Sequence, residues 1–424
     1  MVGLRTVRWL VTVLCLAAAF GWAYGQIDRD GAVRIDLYQY WGVGQVIRLT
    51  DGEVRNPYLA SDAFERELAR FAARSEDPAL REVQSLRSRL ELQATPLAYA
   101  FFSLLPDSYA RAQLVWSLVQ LALFGGALAL LLRGPVLPSW ERAWLGLLLV
   151  SMFIPLRAEM HVANYNTLLL FGTALALDAI RRIPDAHDEA AAGASEATAY
   201  GAGALALLGT LTLLKPTVAP IATVLGGCAL ARLGPGRAAR PIAVATIALL
   251  LVAAWPMARL GSAAIWLEWL HYFRTGNLDM FDLPWSKGNR STALFLSKQL
   301  GVPFGVATAA VAAALAATLW AALRRAPSIG SAALAALRDP TIAVATGVVA
   351  LLATSPLAWQ HYYLHVLAAA LPLLATRAAD DRIPPLAALG LGLAALVPGQ
   401  LLVSPCLLYT SPSPRDSTLD LVCR

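Results

Sequence analysis

The chain has 424 residues, 58% of them hydrophobic and only 15% charged, with a mean hydropathy of +0.57. Soluble domains carry about a quarter charged residues, so this composition excludes an ordinary soluble domain and predicts an all-α polytopic membrane protein. The net charge of +6 comes from short basic clusters between apolar runs. No basic stripe is interleaved with aromatics, so nucleic acid is excluded as a partner.

In chain order, the first apolar run is Val7 to Tyr24, preceded by Arg5 and Arg8. These charges predict a cytoplasmic N-terminus and a retained first span; a cleaved signal peptide is the rival reading. Residues 26–94 are polar enough to lie outside the bilayer as a long first extracytoplasmic loop. The loop opens on RIDLYQYW (34–41), where Asp36 stands beside Tyr38, Tyr40 and Trp41. A carboxylate at a membrane boundary is costly unless hydrated or paired. Asp36 reads either as a general base for an attacking hydroxyl or as a solvated turn carboxylate beside an interfacial aromatic belt. Asp28 and Asp30 have a glycine-flanked, turn-like setting. Further on, SDAFERELARFAAR (61–74) places Phe64, Leu68 and Phe71 on one face, with Ser61 as N-cap. This predicts an amphipathic helix resting on the membrane or on the protein body, the alternative being a solvated loop helix with no contact to substrate.

Further apolar runs lie at 95–105, 110–132, 143–157, 164–180, 201–214, 217–233, 241–260, 300–323, 341–357, 362–376 and 384–403. Some are too short to cross alone, so roughly 11 transmembrane helices are expected. With the N-terminus inside, Arg133, Arg142, Arg181, Arg182, Arg232, Arg237, Arg240, Arg324, Arg325, Arg338, Arg377 and Arg382 all fall on the cytoplasmic side. The outer side then collects the 26–94 loop, the turn 157–166, the loop 261–299 and the turn 355–365. His161, His271, His361 and His365 lie there; His187 sits in a cytoplasmic linker by composition.

Lys215, in LTLLKPTVAP, interrupts about 30 apolar residues, and Pro216 breaks the helix behind it. It reads as a phosphate-holding point charge at an outer hairpin or as a snorkelling lysine. In LPWSKGNRST (283–292), Lys287, Asn289 and Arg290 form a polar turn suited to a phosphate or sugar. In SPLAWQHYYLH (355–365), His361 and His365 are four apart, hence on one face of an α-helix. They suit an anionic leaving group better than a metal, because no third ligand accompanies them. Asn164 and Asn166, with Arg157 and Glu159 before them, read as sugar or headgroup contacts. The cysteines Cys15, Cys228, Cys406 and Cys423 form no metal-spaced motif, so neither disulfide framework nor zinc is expected.

These stretches, in this order, resemble bacterial glycosyltransferase family 87, membrane mannosyltransferases of the C-type superfamily. The likeness covers roughly residues 5–400 and rests on IDLYQYW, TPLAYAFFSLLP, HVANYNTLLL, LLKPTVAP, GNRST and SPLAWQH. The chain departs from the family pattern in a longer first outer loop, and in HVANYN where a Gly-Gln-x-Asn type of turn is expected.

The resemblance implies a C-type bundle in a bacterial inner membrane, acting on its extracytoplasmic face. It implies transfer of a hexose, mannose by family bias, from a polyprenyl-phosphate donor to a glycolipid or glycan acceptor, with inversion. Asp36 would be the base, and Lys215, Arg290 and His361 would hold the donor phosphate. Tyr38, Tyr40, Trp41, His161, Asn164, Asn289, Trp359 and His365 would contact substrate. No cofactor or metal is implied beyond the lipid-linked donor itself. A transporter or flippase of lipid-linked glycans, or an O-antigen-ligase-like enzyme, are the alternatives; the first would place ionisable groups near mid-membrane. The transmembrane domain is assigned to 1–404. From Pro405 the character changes, and CLLYTSPSPRD (406–416) reads as a translated sequencing-library adapter, an artefactual tail at 405–424.

Overall fold

A computed structural model describes residues 34–86, 92–133, 154–184, 194–276, 291–323, 328–355 and 358–379. The first apolar run, Asp28, Asp30, the linker with His187, the turn with Asn289 and Arg290, the run 384–403 and the tail from 405 lie outside them. Among the described residues every element is helical.

Within the 26–94 segment the described residues form α1 (Ile35–Leu49), α2 (Ser61–Arg74) and α3 (Pro78–Leu86). RIDLYQYW therefore begins a buried helix, in which Leu37, Tyr38, Trp41, Val43 and Val46 are core residues. Its glycines permit close packing: a Cβ on Gly44 would sit 2.5 Å from Ser103 Cα. The predicted helix 61–74 forms with those bounds and lies on the protein body, Phe64 and Leu68 being buried. Ser61 is not its cap; Ala60 holds that place without a side-chain bond. The short helix α4 (Pro96–Phe102) is capped by Thr95 and buried against α1.

Among the described residues, four segments are long and apolar enough to cross a membrane: Tyr109–Leu131, Ser195–Leu214, Pro216–Leu233 and Pro235–Arg259. The bundle runs α5 (Tyr109–Leu131), α6 (Ile154–Val162), α7 (Asn166–Arg181), α8 (Ala194–Leu214), a 3₁₀ turn (Pro216–Val218), α9 (Ala219–Leu233) and α10 (Pro235–Arg259). Then follow α11 (Ile265–Gly276), α12 (Thr292–Leu300), α13 (Phe304–Leu323), α14 (Ile329–Arg338), α15 (Pro340–Thr354), a 3₁₀ helix (Gln360–His365) and α16 (Val366–Ala379). Helix α8 packs on α7, α9 and α10, while α9 packs on α15. The α9–α15 crossing is tight, since a Cβ on Gly347 would lie 2.7 Å from Ile221 Cα. Helix α10 turns Ile247, Leu250 and Leu251 outward, the face expected of a helix bathed in lipid.

The bundle has two polar ends. At one, Arg182 and Arg133 pair with Asp178, Arg232 donates to the carbonyls of Ile183 and Arg338, and Arg338 donates to that of Ala231. Of the arginines grouped from sequence, Arg133, Arg182, Arg232 and Arg338 thus meet near the C-terminal ends of α5, α7, α9 and α14. The other polar end lies about 24 Å away along α7, at 1.5 Å per residue.

Candidate functional site

Two helix starts build the second polar end. Arg34, just before α1, has φ 48°, and Ala163, between α6 and α7, has φ 54°. A left-handed conformation is uncommon for residues with a Cβ, so each must be held by its surroundings. The Arg34 N–H donates to His161 O at 3.2 Å, tying one turn to the other, and Tyr109 Oη donates to Arg34 O. Trp116 Nε1 donates to Ala163 O and Asn164 O, and Gln120 Nε2 donates to Asn164 O at 2.8 Å. The result sets Asp36, in the first turn of α1, against Asn164.

Lys215 enters from a third chain break. Pro216 has no N–H and ends α8. The Leu214 carbonyl instead accepts from Thr95 Oγ1 at 2.9 Å and Tyr165 Oη at 3.3 Å. The Lys215 side chain turns inward and is 8% exposed, so it does not snorkel. Its Nζ donates to Asn164 Oδ1 at 3.1 Å and Asn166 Oδ1 at 3.0 Å. It also lies 4.9 Å from the Tyr165 ring centroid and 4.4 Å from that of Tyr362, at cation–π distance.

A line of hydrogen bonds passes through this ammonium. Asn164 Nδ2 donates to Asp36 Oδ2 at 2.8 Å. On the other side, Asn166 Nδ2 donates to Glu159 Oε2 at 2.8 Å, and the Asn166 backbone N–H donates to Glu159 Oε1 at 2.5 Å. Two carboxylates therefore end the line, two amides follow inward, and one ammonium is central. Burial pushes the Glu159 carboxyl up, opposed by Asn166 and Lys215. Burial pulls the Lys215 ammonium down, opposed by Glu159 and Asp36.

His361 and His365 close the cluster from the 3₁₀ helix. They are not on one α-helical face as predicted: at three residues per turn, a spacing of four rotates them by about 120°. Both are buried. Among the described residues, His361 Nε2 and both ring nitrogens of His365 have no hydrogen-bond partner. Buried polar atoms of this kind call for an explanation, and a bound ligand is one.

The structure thus brings together Asp36, Tyr40, Asn164, Lys215, His361 and His365. Tyr40 lies 3.4 Å from Asn164 Nδ2 and packs on the Tyr165 ring. Tyr38 and Trp41 point elsewhere: they are 2% and 0% exposed, pack on Tyr109, and serve as core rather than as rings open to a sugar. His161 is half-buried and contributes its carbonyl to the Arg34 turn. Trp359 caps the 3₁₀ helix through its carbonyl, to which Tyr362 N–H donates. Asn289 and Arg290 lie outside the described residues.

Two members were missed or misread. Glu159 is 0% exposed, so it is an internal anchor rather than a headgroup contact. Gln120 went unnoticed, although Gln113, Ser117 and Gln120 fall at spacings of four and three within apolar α5, and all three are buried. A polar stripe on a spanning helix marks an inward face.

In comparisons with protein-family models, curated proteins and solved structures, the chain matched none.

Proposed function

We propose that the protein is a bacterial inner-membrane glycosyltransferase. It would carry a hexose, mannose by resemblance, from a polyprenyl-phosphate donor to a glycolipid or glycan acceptor at the extracytoplasmic face. The roughly 11-span bundle and cytoplasmic N-terminus belong to the same proposal. The observation that carries it is the meeting of Asp36 and Lys215, bridged by one amide, Asn164.

That pairing fits an inverting displacement. Asp36 takes the proton of the acceptor hydroxyl as its oxygen attacks the anomeric carbon. The bond from that carbon to the phosphate oxygen breaks, and polyprenyl phosphate leaves with the electron pair. Charge then grows on the phosphate, where a preorganised cation has its largest effect. Lys215 has two of its three donors committed to amide oxygens, leaving the third for an incoming oxygen. His361 and His365 supply the adjacent unpartnered nitrogens. The polar groups gather at one end of the bundle and not at its midpoint, which favours this reading over a transporter.

The test is sugar transfer from polyprenyl-phosphate-mannose by membranes containing the protein. Asp36→Asn keeps the shape and removes the base, and transfer should fall roughly 10²- to 10⁴-fold at equal expression. Equal activity of the two proteins would remove Asp36 as base. Absence of transfer by the wild type to any glycolipid or glycan offered would remove the reading.

A further inference from the structure

Glu159 is a buried acidic residue that the proposed chemistry does not use. It lies on α6, with Asp36, Lys215, Tyr40, Tyr165, Tyr362, His361 and His365 as the other titratable groups of the cluster. Its carboxylate spans the start of α7, whose cap residue Tyr165 makes no capping side-chain bond. Oε1 receives the backbone N–H groups of Asn166 at 2.5 Å and Thr167 at 3.4 Å, and Gln120 Nε2 at 3.4 Å. A helix cap needs no more than this. Oε2 does something further, because it receives Asn166 Nδ2.

An amide side chain has a donor end and an acceptor end. With Nδ2 turned to Glu159, Asn166 must turn Oδ1 to Lys215. The ammonium, which can only donate, then takes the Oδ1 atoms of both asparagines. Asn164 Oδ1 also accepts the Tyr165 backbone N–H at 2.7 Å, so that amide is held by its own turn with Nδ2 facing Asp36. Orientation passes from Glu159 through Asn166 to Lys215.

We infer that Glu159 is a positioning residue: it sets the direction of the Asn166 amide, and through it the placement of the Lys215 ammonium. Its consequence for sugar transfer rests on the reading of the preceding section; its consequence for Lys215 does not.

Glu159→Gln separates this role from capping. The introduced amide oxygen keeps the backbone N–H groups, so the cap survives. The introduced amide nitrogen replaces Oε2 and meets the Asn166 nitrogen, donor against donor. Asn166 must turn over, and its Nδ2 then opposes the Lys215 ammonium. Adding Asn166→Asp repairs the line, since a carboxylate accepts both from the introduced amide nitrogen and from Lys215. The double variant also keeps the wild-type net charge.

Two readouts decide the matter on purified full-length protein with matched thermal midpoints. One is kcat and KM for polyprenyl-phosphate-mannose, with Asp36→Asn as control. The other is the rate of reductive methylation of Lys215 by formaldehyde and cyanoborohydride, read by peptide mass spectrometry against exposed Lys298. Glu159→Gln should lower kcat by roughly 10- to 100-fold with a smaller change in KM. It should also speed Lys215 labelling about tenfold, as a charge-assisted hydrogen bond is lost. The double variant should recover most of both. Should Glu159→Gln leave both kcat and Lys215 protection at wild-type values, Glu159 is a cap only, while the transferase reading stands on its Asp36→Asn control. If the double variant is no better than the single, orientation is not what Glu159 transmits. If wild type transfers no sugar, the labelling pattern alone decides the positioning role, and only the transferase reading falls.

Discussion

Replacing Lys215 by Met tests the cluster as a physical object, whatever its chemistry. The thioether side chain has about the same length and fills the same space, so packing is largely kept. What disappears is the donor to Asn164 Oδ1 and Asn166 Oδ1. Hydrogen bonds to a charged group contribute roughly 1.5–3 kcal/mol each, so two of them amount to about 3–6 kcal/mol. The unfavourable burial of the ammonium is relieved at the same time, and Glu159 can take up a proton in compensation. A net destabilisation of about 2–4 kcal/mol is expected, overlapping the lower part of the range of roughly 3–5 kcal/mol seen when a buried pair loses a partner outright. Reversible unfolding in mixed detergent, followed by helical circular dichroism, measures it. Lys298→Met is the control, because that lysine is exposed and should shift stability by less than about 0.5 kcal/mol. Should Lys215→Met also fall within about 0.5 kcal/mol of wild type, the buried line of hydrogen bonds is not formed in the protein.

Three further outcomes follow from the same geometry. Gly347→Ala drives a Cβ to 2.7 Å from Ile221 Cα, backbone that cannot step aside, so it should cost about 1–3 kcal/mol in the same unfolding assay. Gly203→Ala, on α8 with nothing within 4 Å, should instead be neutral or stabilise by up to about 1 kcal/mol. For pH, Glu159 holds its proton more tightly folded than unfolded, so stability should fall as pH rises from the ordinary carboxylate value of 4.5 through the raised one. Lys215 releases its proton more readily when folded, so stability should rise again as pH climbs from the lowered value toward the ordinary 10.5. The thermal midpoint should therefore dip between the two limbs. Glu159→Gln should flatten the acidic limb and Lys215→Met the alkaline one; a profile unchanged by either would show that these groups keep ordinary proton affinities.

What could be read from the sequence was what periodicity and breakage write into it. The spacing of Phe64, Leu68 and Phe71 gave the helix Ser61–Arg74, and Lys215-Pro216 marked a real break between two long helices. Of the grouped arginines, Arg133, Arg182, Arg232 and Arg338 share an end of the bundle. Helix Ile35–Leu49 was illegible because it is buried nearly all round; a helix with no polar face has no amphipathic period, and its tyrosines and tryptophan imitate an interfacial belt. The histidine pair was misread because 3₁₀ and α turns share a sequence pattern but differ in angle. No spacing rule reveals that Glu159, seven residues from Asn166, turns back to cap the helix that Asn166 begins.

The cluster's location has a common physical cause. Four chain breaks converge on it: Arg34 before α1, Ala163 before α7, Lys215 after α8 and the 3₁₀ helix before α16, with Glu159 of α6 and Gln120 of α5 reaching them from within their helices. Helix ends leave backbone groups unpaired, and in an apolar surrounding these must find partners in the protein. Thr95 and Tyr165 answer the Leu214 carbonyl, Trp116 and Gln120 answer those of Ala163 and Asn164, and Glu159 answers the first N–H groups of α7. The polar residues needed to satisfy these breaks are the same ones that hold Lys215 and Asp36 in register. Irregular backbone in an apolar bundle is stable only where such a network exists, and a network of that kind is also what a charged substrate needs. The breaks, more than any single motif, are what locate the site.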